Sequence, residues 1–471
     1  MKILNSRFVQ VWDDTRLEKV VLVNHMWRED DEIHKNGFRL YFQEILKSEL
    51  LILTALERSK NEEENIKLLN QLDNRLLRRL INYKYVVDSH DKLLQSNIWF
   101  SQAGQYLYSY FRSRYKLLYP ERPSRVLLLP TMRCNGNCVF CITNSKIQNS
   151  VLEFTDDSWK KITHRVVNEL NPCNIDIVGG EPLLRKEAVF SIIEELENTN
   201  IVLKLITNGE NLDFYTVKRL ASHLKKMNHN VQVSLDGDET ITKKIRPGIS
   251  YSKLIDGIKF LSEEKINYGV NVTITKLNIN EIDRLVEFID QYKPIYVTFG
   301  PLQVSSKAPQ YCQEIMISNQ EEKEFRLTVK RLKVQYPHII FNYDKKEYPY
   351  DLGEKPLGNK KKLHTCTGFL EEMTIYSDGH ILPCLRATTY KEFFGPNILE
   401  SEQSLQDIWL NSDIAKKYRT TLLAEPCSFC GFNQQCNQGC PLETYQIEGV
   451  FGGFDPHCKL YKKRRKEEDH E

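Results

Sequence analysis

Arg133-Cys134-Asn135-Gly136-Asn137-Cys138-Val139-Phe140-Cys141 sets three thiols at the spacing C-x3-C-x2-C, shortly after the apolar run Val126-Leu127-Leu128-Leu129. Four apolar residues followed by a polar turn read as a buried strand that delivers a loop. Three thiolates on one short loop can turn inward together and grip a small inorganic body. Iron–sulfur clusters are held in this way, and a four-iron cluster wants four ligands. Three cysteines therefore leave one iron open. A zinc knuckle would add a second C-x2-C-like hook or histidines at a set spacing, and neither lies near this loop.

From 125 to 300 the pattern alternates between strand and helix. Strands are expected at Val126–Leu129, Ile175–Val178, Val202–Thr207, Val231–Leu235, Val270–Ile274 and Ile295–Phe299. Helical spacing falls near 156–170, 186–197, 213–226, 251–264 and 280–291. Such alternation argues for parallel strands with crossover helices, whose ligands bind at the carboxyl ends of the strands. The informative residues fall there. Gly179-Gly180-Glu181-Pro182-Leu183 follows the second strand, Thr207-Asn208-Gly209 the third, and Ser234-Leu235-Asp236-Gly237 the fourth, with Arg246-Pro247-Gly248 beyond. Asn271 and Thr273 on the fifth strand are further candidates. Gly-Gly, Asn-Gly and Asp-Gly are each common turn dipeptides. Three in order at successive strand ends, behind a cysteine loop, point to one bound ligand.

A second thiol array closes the chain: Cys366, Cys384, Cys427, Cys430, Cys436, Cys440 and Cys458. Twelve residues separate Cys366 from Gly379 and four separate Gly379 from Cys384; the next cysteines run C-x2-C-x5-C-x3-C. Ser377-Asp378-Gly379-His380-Ile381-Leu382-Pro383-Cys384 reads as a hairpin. Alone, this array fits a zinc ribbon as well as iron–sulfur; beside the first loop, iron–sulfur is the reading.

The C-x3-C-x2-C loop with Phe140 before its last Cys resembles the signature of the radical S-adenosylmethionine enzymes, and the C-terminal array resembles their SPASM extension. The resemblance spans Val126 to Cys458. It implies a partial (β/α)6 TIM-like barrel of α/β class, followed by a cysteine-rich iron–sulfur domain. It implies that Cys134, Cys138 and Cys141 hold a [4Fe-4S] cluster whose open iron is chelated by S-adenosyl-L-methionine, which is split to a 5′-deoxyadenosyl radical. It places the Phe140 carbonyl at the adenine, Gly179, Gly180 and Glu181 at the methionine amino group, and Ser234 and Asp236 at the ribose or carboxylate. Arg246 is expected at the carboxylate, and Thr207 and Asn208 border the same ligand. Two auxiliary [4Fe-4S] clusters are implied, one on Cys427, Cys430, Cys436 and Cys458, the other on Cys366, Cys384 and Cys440. The second lacks a fourth cysteine, so its last iron is expected to be open or substrate-ligated, unless the solitary Cys312 reaches it. The resemblance names no catalytic base.

Residues 1–90 read as a separate α+β unit. Phe8–Trp12 and Lys19–Val23 alternate as strands, Leu40–Leu56 and Leu68–Ile81 carry helical spacing, and Tyr85–Val87 is a final strand. The pattern resembles a winged-helix-like precursor-peptide recognition domain, which would take a leader peptide as an added strand; a structural extension is the alternative. Residues 91–124 form an aromatic linker, 301–365 a bridging region with one helix near 321–335, and 366–471 the auxiliary domain with a solvated charged tail.

Net charge is +2 in 471 residues, so no global field favours nucleic acid or membrane. No apolar run is long enough to span a bilayer, and twelve cysteines without an apolar signal core fit metal ligands in a reducing cytoplasm. The expected activity is maturation of a ribosomally made precursor peptide by cross-linking or oxidation, with an external flavodoxin- or ferredoxin-like electron donor. Formylglycine formation on a folded protein, radical chemistry on a small molecule, and a non-enzymatic electron carrier or peptide scaffold are the competing readings.

Overall fold

The computed structural model describes residues 2–4, 9–13, 19–24, 42–58, 62–82, 86–88, 119–120, 122–145, 153–172, 174–197, 199, 201–224, 230–304, 307–343, 366–420, 427, 430–432, 439–453, 455, 458 and 460. Cys173, Cys436, most of the 91–124 linker and the end of the charged tail lie outside these residues.

In the N-terminal unit, β1 (Lys2–Leu4) pairs antiparallel with β5 (Val86–Asp88), while β2 (Val9–Asp13), β3 (Lys19–Asn24) and β4 (Phe42–Leu46) form an antiparallel meander. A short strand β6 (Tyr119–Pro120) closes the other side of β2. Helices Lys47–Arg58, Glu62–Leu69 and Asn74–Asn82 follow β4 and bury Leu53, Leu69, Leu72 and Leu80 with Ile45. The expected helix from Leu40 thus begins as a strand. Phe42, Ile45 and Leu46 fit either period over so short a run, and pairing with β3 decides it.

The main sheet begins with β7 (Arg125–Leu128), β8 (Asn174–Ile177), β9 (Val202–Thr207), β10 (Asn230–Ser234), β11 (Tyr268–Ile274) and β12 (Tyr296–Pro301). All six expected strands are present, parallel, in sequence order. Their outward residues are apolar, most of them aliphatic, and meet the crossover helices: Val231, Val233, Val270 and Val272 are fully buried. Helix ends follow capping chemistry: Thr155 accepts from the Ser158 N–H at the start of Asp156–Arg165, and Ser318 with Glu321 forms a capping box on Asn319–Gln335. The stretch 166–170 continues as a π-turn closed by Asn171 in a left-handed conformation.

The sheet is wider than six strands. The bridging region contains helices Pro309–Ile315 and Asn319–Gln335 and then β13 (Ile340–Tyr343), which adds parallel to β12. On the opposite edge, β14 (Glu372–Ile375) lies parallel to β7, and β15 (Ile381–Leu382) turns back on it. The hairpin expected at 377–384 is this β14–β15 turn, with Gly379 at φ +93°. The order is β13-β12-β11-β10-β9-β8-β7-β14-β15, an open sheet with the cysteine-rich segment built into one edge.

The lower end of the lumen is closed by charge. Arg125 pairs with the buried Asp176 and lies 3.0 Å from Glu372. Higher up, Ser234, Asn271, Thr298 and Asn342 stand in register on four successive strands. Their neighbours Phe299 and Tyr343 pack outward on Phe325, at centroid distances of 5.2 and 5.1 Å, which turns this polar row inward.

Candidate iron–sulfur and cosubstrate site

The cysteine loop leaves β7 at the C-terminal mouth of the lumen and is held by backbone pairing on two sides. Gly180 N–H donates to Thr131 O (2.9 Å) and Glu181 N–H to Arg133 O (2.8 Å). A Cβ on Gly179 would stand 2.3 Å from Thr131 O, and one on Gly180 2.1 Å from Arg133 O. The Gly-Gly pair therefore lets two protein backbones meet. On the other side Asn137 N–H donates to Pro247 O and Val139 N–H to Ile245 O. Gly248, at φ +94°, brings the Arg-Pro-Gly turn against Asn135.

Glu181 is fully buried. Its carboxylate accepts from Leu183 N–H (3.0 Å), Thr207 Oγ1 (2.7 Å) and Asn208 N–H (2.7 Å), so it fastens the second strand end to the third. Burial pushes its acid up to about 7 against the pull of these donors. Asn208 Nδ2 donates in turn to Asn135 Oδ1 within the cysteine loop (2.8 Å), and Asn135 Nδ2 to Glu210. Asp236, also fully buried, accepts from Thr273 N–H (2.7 Å) and Arg246 Nε (2.6 Å). The Arg246 guanidinium lies 3.8 Å from Cys138 Sγ and 5.2 Å from the Phe140 ring. Thr207, Asn208 and Asp236 are thus engaged in holding the mouth of the barrel together, while Ser234 is half-buried on the lumen face.

Several participants had no sequence signal. Lys307 donates to Cys138 O (3.1 Å) from the bridging region. Arg133 and Arg185 converge on Glu153 at 3.0 and 3.1 Å behind the loop. Arg133 sits beside Cys134 in sequence, but its partners come from elsewhere in the chain.

Burial pushes the Cys134 thiol up to about 12, with the neighbouring Glu181, Cys138 and Cys141 adding to it, and raises Cys138 as well, partly offset by Arg246. Cys141 lies 3.3 Å from Thr143 Oγ1. The second group is Cys366, Cys384 and Cys440, mutually close and half-buried, with Cys384 pushed up to about 12 by desolvation and then by Cys440. Backbone N–H groups point at these sulfurs: Gly136 at Cys134, Gly368 at Cys366 (3.3 Å), Ala387 and Arg386 at Cys384, Glu443 and Leu442 at Cys440. Donors aimed at sulfur suit thiolates that carry charge, which is the state metal ligation imposes. Both groups fit iron–sulfur clusters on this ground. Among the described residues, no three His, Cys, Asp or Glu side chains meet as closely as a single ion would need.

Cys312 does not join the second group. It is fully buried among Leu302, Val304, Ile315, Val139 and Phe140, with its sulfur 3.8 Å from Val139 O, behind the first cysteine loop. Cys427, Cys430 and Cys458 are described and half-buried; Cys436, expected beside them, is outside the described residues.

Residues 128–289 match the family model of the radical SAM superfamily, and residues 366–437 match that of an iron–sulfur cluster-binding domain, SPASM. The AdoMet-dependent heme synthase of Methanosarcina barkeri is 25% identical over 71% of this chain and 96% of its own length. The PqqA peptide cyclase of Rhodopseudomonas palustris is 23% identical over 72% of this chain and 87% of its own. The fold is shared with Streptococcus suis SuiB, solved bound to its precursor peptide SuiA, at a TM-score of 0.69 and 17% identity, covering 98% of this chain and all of that one. With a three-thiol loop at the barrel mouth, a second thiol array on the sheet edge and both family models matched, the chain carries a radical SAM domain at residues 128–289 and a SPASM iron–sulfur cluster-binding domain at residues 366–437, with S-adenosylmethionine and [4Fe-4S] clusters as its cofactors.

Proposed function

We propose that the protein matures a ribosomally made precursor peptide, joining or oxidising side chains after a hydrogen atom has been removed. The observation that carries this reading is the polar row Ser234, Asn271, Thr298 and Asn342, which lines the lumen below the cysteine loop and suits an amide-rich substrate. The peptide cyclase relative and the peptide-bound structure of the same fold support it.

Cys134, Cys138 and Cys141 are assigned to the cluster that chelates S-adenosylmethionine; together, when bound, these cofactors supply a carbon-centred radical oxidant. The Phe140 carbonyl, Gly179, Gly180, Glu181, Thr207, Asn208, Ser234, Asp236 and Arg246 are assigned to the cosubstrate's surroundings. Arg246 has a double duty: its Nε is locked on Asp236, and its outer face is left toward the thiols and the cosubstrate carboxylate. Cys366, Cys384 and Cys440 hold one auxiliary cluster, and Cys427, Cys430, Cys436 and Cys458 the other. The N-terminal unit acts as a leader-binding domain of winged-helix type. Among the described residues its β4 pairs on one side alone, with β3, which leaves an edge where a peptide strand can add. The electron donor is external and flavodoxin- or ferredoxin-like, and the setting is the cytoplasm; no helix of the described residues is long and apolar enough to cross a membrane.

The test is anaerobic incubation of the reduced holoprotein with S-adenosylmethionine and a short precursor peptide encoded beside its gene. Release of 5′-deoxyadenosine together with a mass change in the peptide is expected. 5′-Deoxyadenosine without any peptide change would move the substrate class to a folded protein or small molecule. No 5′-deoxyadenosine at all would leave an electron carrier.

A further inference from the structure

The thiols of Cys366, Cys384 and Cys440 lie under an aromatic shell. Helix Asp413–Thr420 passes beside them and carries Tyr418, which is 2% exposed. The ring packs 4.9 Å from Phe451, 6.1 Å from Phe369 and 6.3 Å from Phe393. It rests directly on the Cys366 loop: a Cβ on Gly368 would stand 3.2 Å from Tyr418 Cε1, so a larger residue there would push the ring away.

The phenol oxygen is fully buried and has no hydrogen-bond partner among the described residues. Its electrostatic neighbours are Cys384, Cys366 and Cys440. A buried hydroxyl left without a partner costs about 1–3 kcal/mol, and native structures rarely keep one without a reason. Glu443, the carboxylate beside Cys440, is already engaged: it accepts from Val304 N–H at 3.3 Å and lies 3.9 Å from Arg386. Tyr418 therefore carries a buried donor without a partner among the described residues, with the three thiols as its electrostatic neighbours.

We propose that Tyr418 donates its O–H to a sulfur of the iron–sulfur centre held by Cys366, Cys384 and Cys440 and raises that centre's reduction potential. The proposal rests on the assignment of these three thiols to one centre. A hydrogen bond to sulfur withdraws electron density and stabilises the reduced state, one of the ways a protein sets a cluster potential. The phenol remains a donor and does not become an iron ligand, so the corner without a cysteine stays available to substrate. Tyr418 is a positioning residue and takes no part in bond making.

The experiment uses the full chain, reconstituted with iron and sulfide without oxygen, in a Cys134→Ala background that removes the first cluster's signal. Tyr418→Phe keeps the ring and removes the donor. Iron per chain and thermal stability are expected to match the parent, while potentiometric electron paramagnetic resonance shows one auxiliary centre shifted to lower potential. At a fixed poise its reduced-to-oxidised ratio falls about tenfold, equivalent to about 59 mV for one electron. An unchanged potential with full iron content overturns the proposal and leaves Tyr418 as packing. Loss of about four irons per chain overturns it in favour of a phenolate ligand. Cys366→Ala must abolish the same signal; if it persists, the three-thiol assignment itself fails, independently of the tyrosine.

Discussion

Arg246 and Cys138 meet at 3.8 Å between guanidinium and sulfur, although they lie 108 positions apart in the chain, because the Asp236 carboxylate fixes the arginine from behind at 2.6 Å. Arg246→Ala would leave Asp236 as an uncompensated buried charge, at a cost of about 3–5 kcal/mol. The double variant Arg246→Met/Asp236→Asn is expected to regain most of that stability in a denaturant titration. It should not regain S-adenosylmethionine binding, measured by equilibrium dialysis on the reconstituted protein. Recovered binding would show that the arginine is a structural brace alone.

Cys134→Ala removes one of three ligands from the loop. The expected result is loss of about four irons per chain, no 5′-deoxyadenosine, and auxiliary cluster signals unchanged. Turnover in this variant would refute the assignment of the loop.

Gly180→Ala tests whether the Gly-Gly pair is there for backbone contact. Its Cβ would collide with Arg133 O at 2.1 Å, and overpacking of this kind costs about 1–3 kcal/mol. Gly300→Ala is the control, since the nearest atom to its Cβ is 4.0 Å away. Thermal denaturation should separate the two, with Gly300→Ala within about 0.5 kcal/mol of the parent.

Cys312→Ala should leave auxiliary iron content unchanged, because its sulfur faces Val139 O and not the second thiol group. A drop in iron assigned to that group would contradict the placement of Cys312.

Glu371 sets a pH dependence. Burial, and then the charge of Glu372, push its acid from 4.5 up to about 8, against the pull of Arg125. Since its folded pKa is raised, the stability linked to its proton is complete below about pH 4.5 and is lost as pH rises through about 8. Denaturation midpoints should decline across that window with a slope of at most about 1.4 kcal/mol per pH unit. Glu371→Gln should flatten the slope; a slope that persists assigns it to another group.

The barrel was legible because each of its six strands is a short apolar run closed by a turn signal, and the described strands fall within two residues of the expected ones. β13 was missed because Ile340-Phe341-Asn342-Tyr343 is too short and mixed to stand out between polar stretches. β14 was read as part of a cysteine domain, since nothing in Glu372-Met373-Thr374-Ile375 announces a partner 247 residues away. The closeness of Cys134, Cys138 and Cys141 was legible in their spacing, whereas the grouping of Cys366 and Cys384 with Cys440 came only from the resemblance. The roles of Glu181 and Asp236 as braces were not legible, because a carboxylate at a strand end looks the same whether it meets a ligand or a neighbouring backbone. Tyr418 carried no signal, being one of 23 tyrosines, and only its surroundings distinguish it.

The strand β14 lies beside β7, and Glu372 bonds to Arg125 across just over half the chain. During synthesis the first barrel strand therefore emerges from the ribosome long before its neighbour exists. Its backbone edge stays bare until the auxiliary segment arrives, so a nascent chain cut off after residue 343 would present that edge to other molecules. Barrel and extension share one sheet, and the outer edge of its first strand is covered only once residues 372–375 have been made.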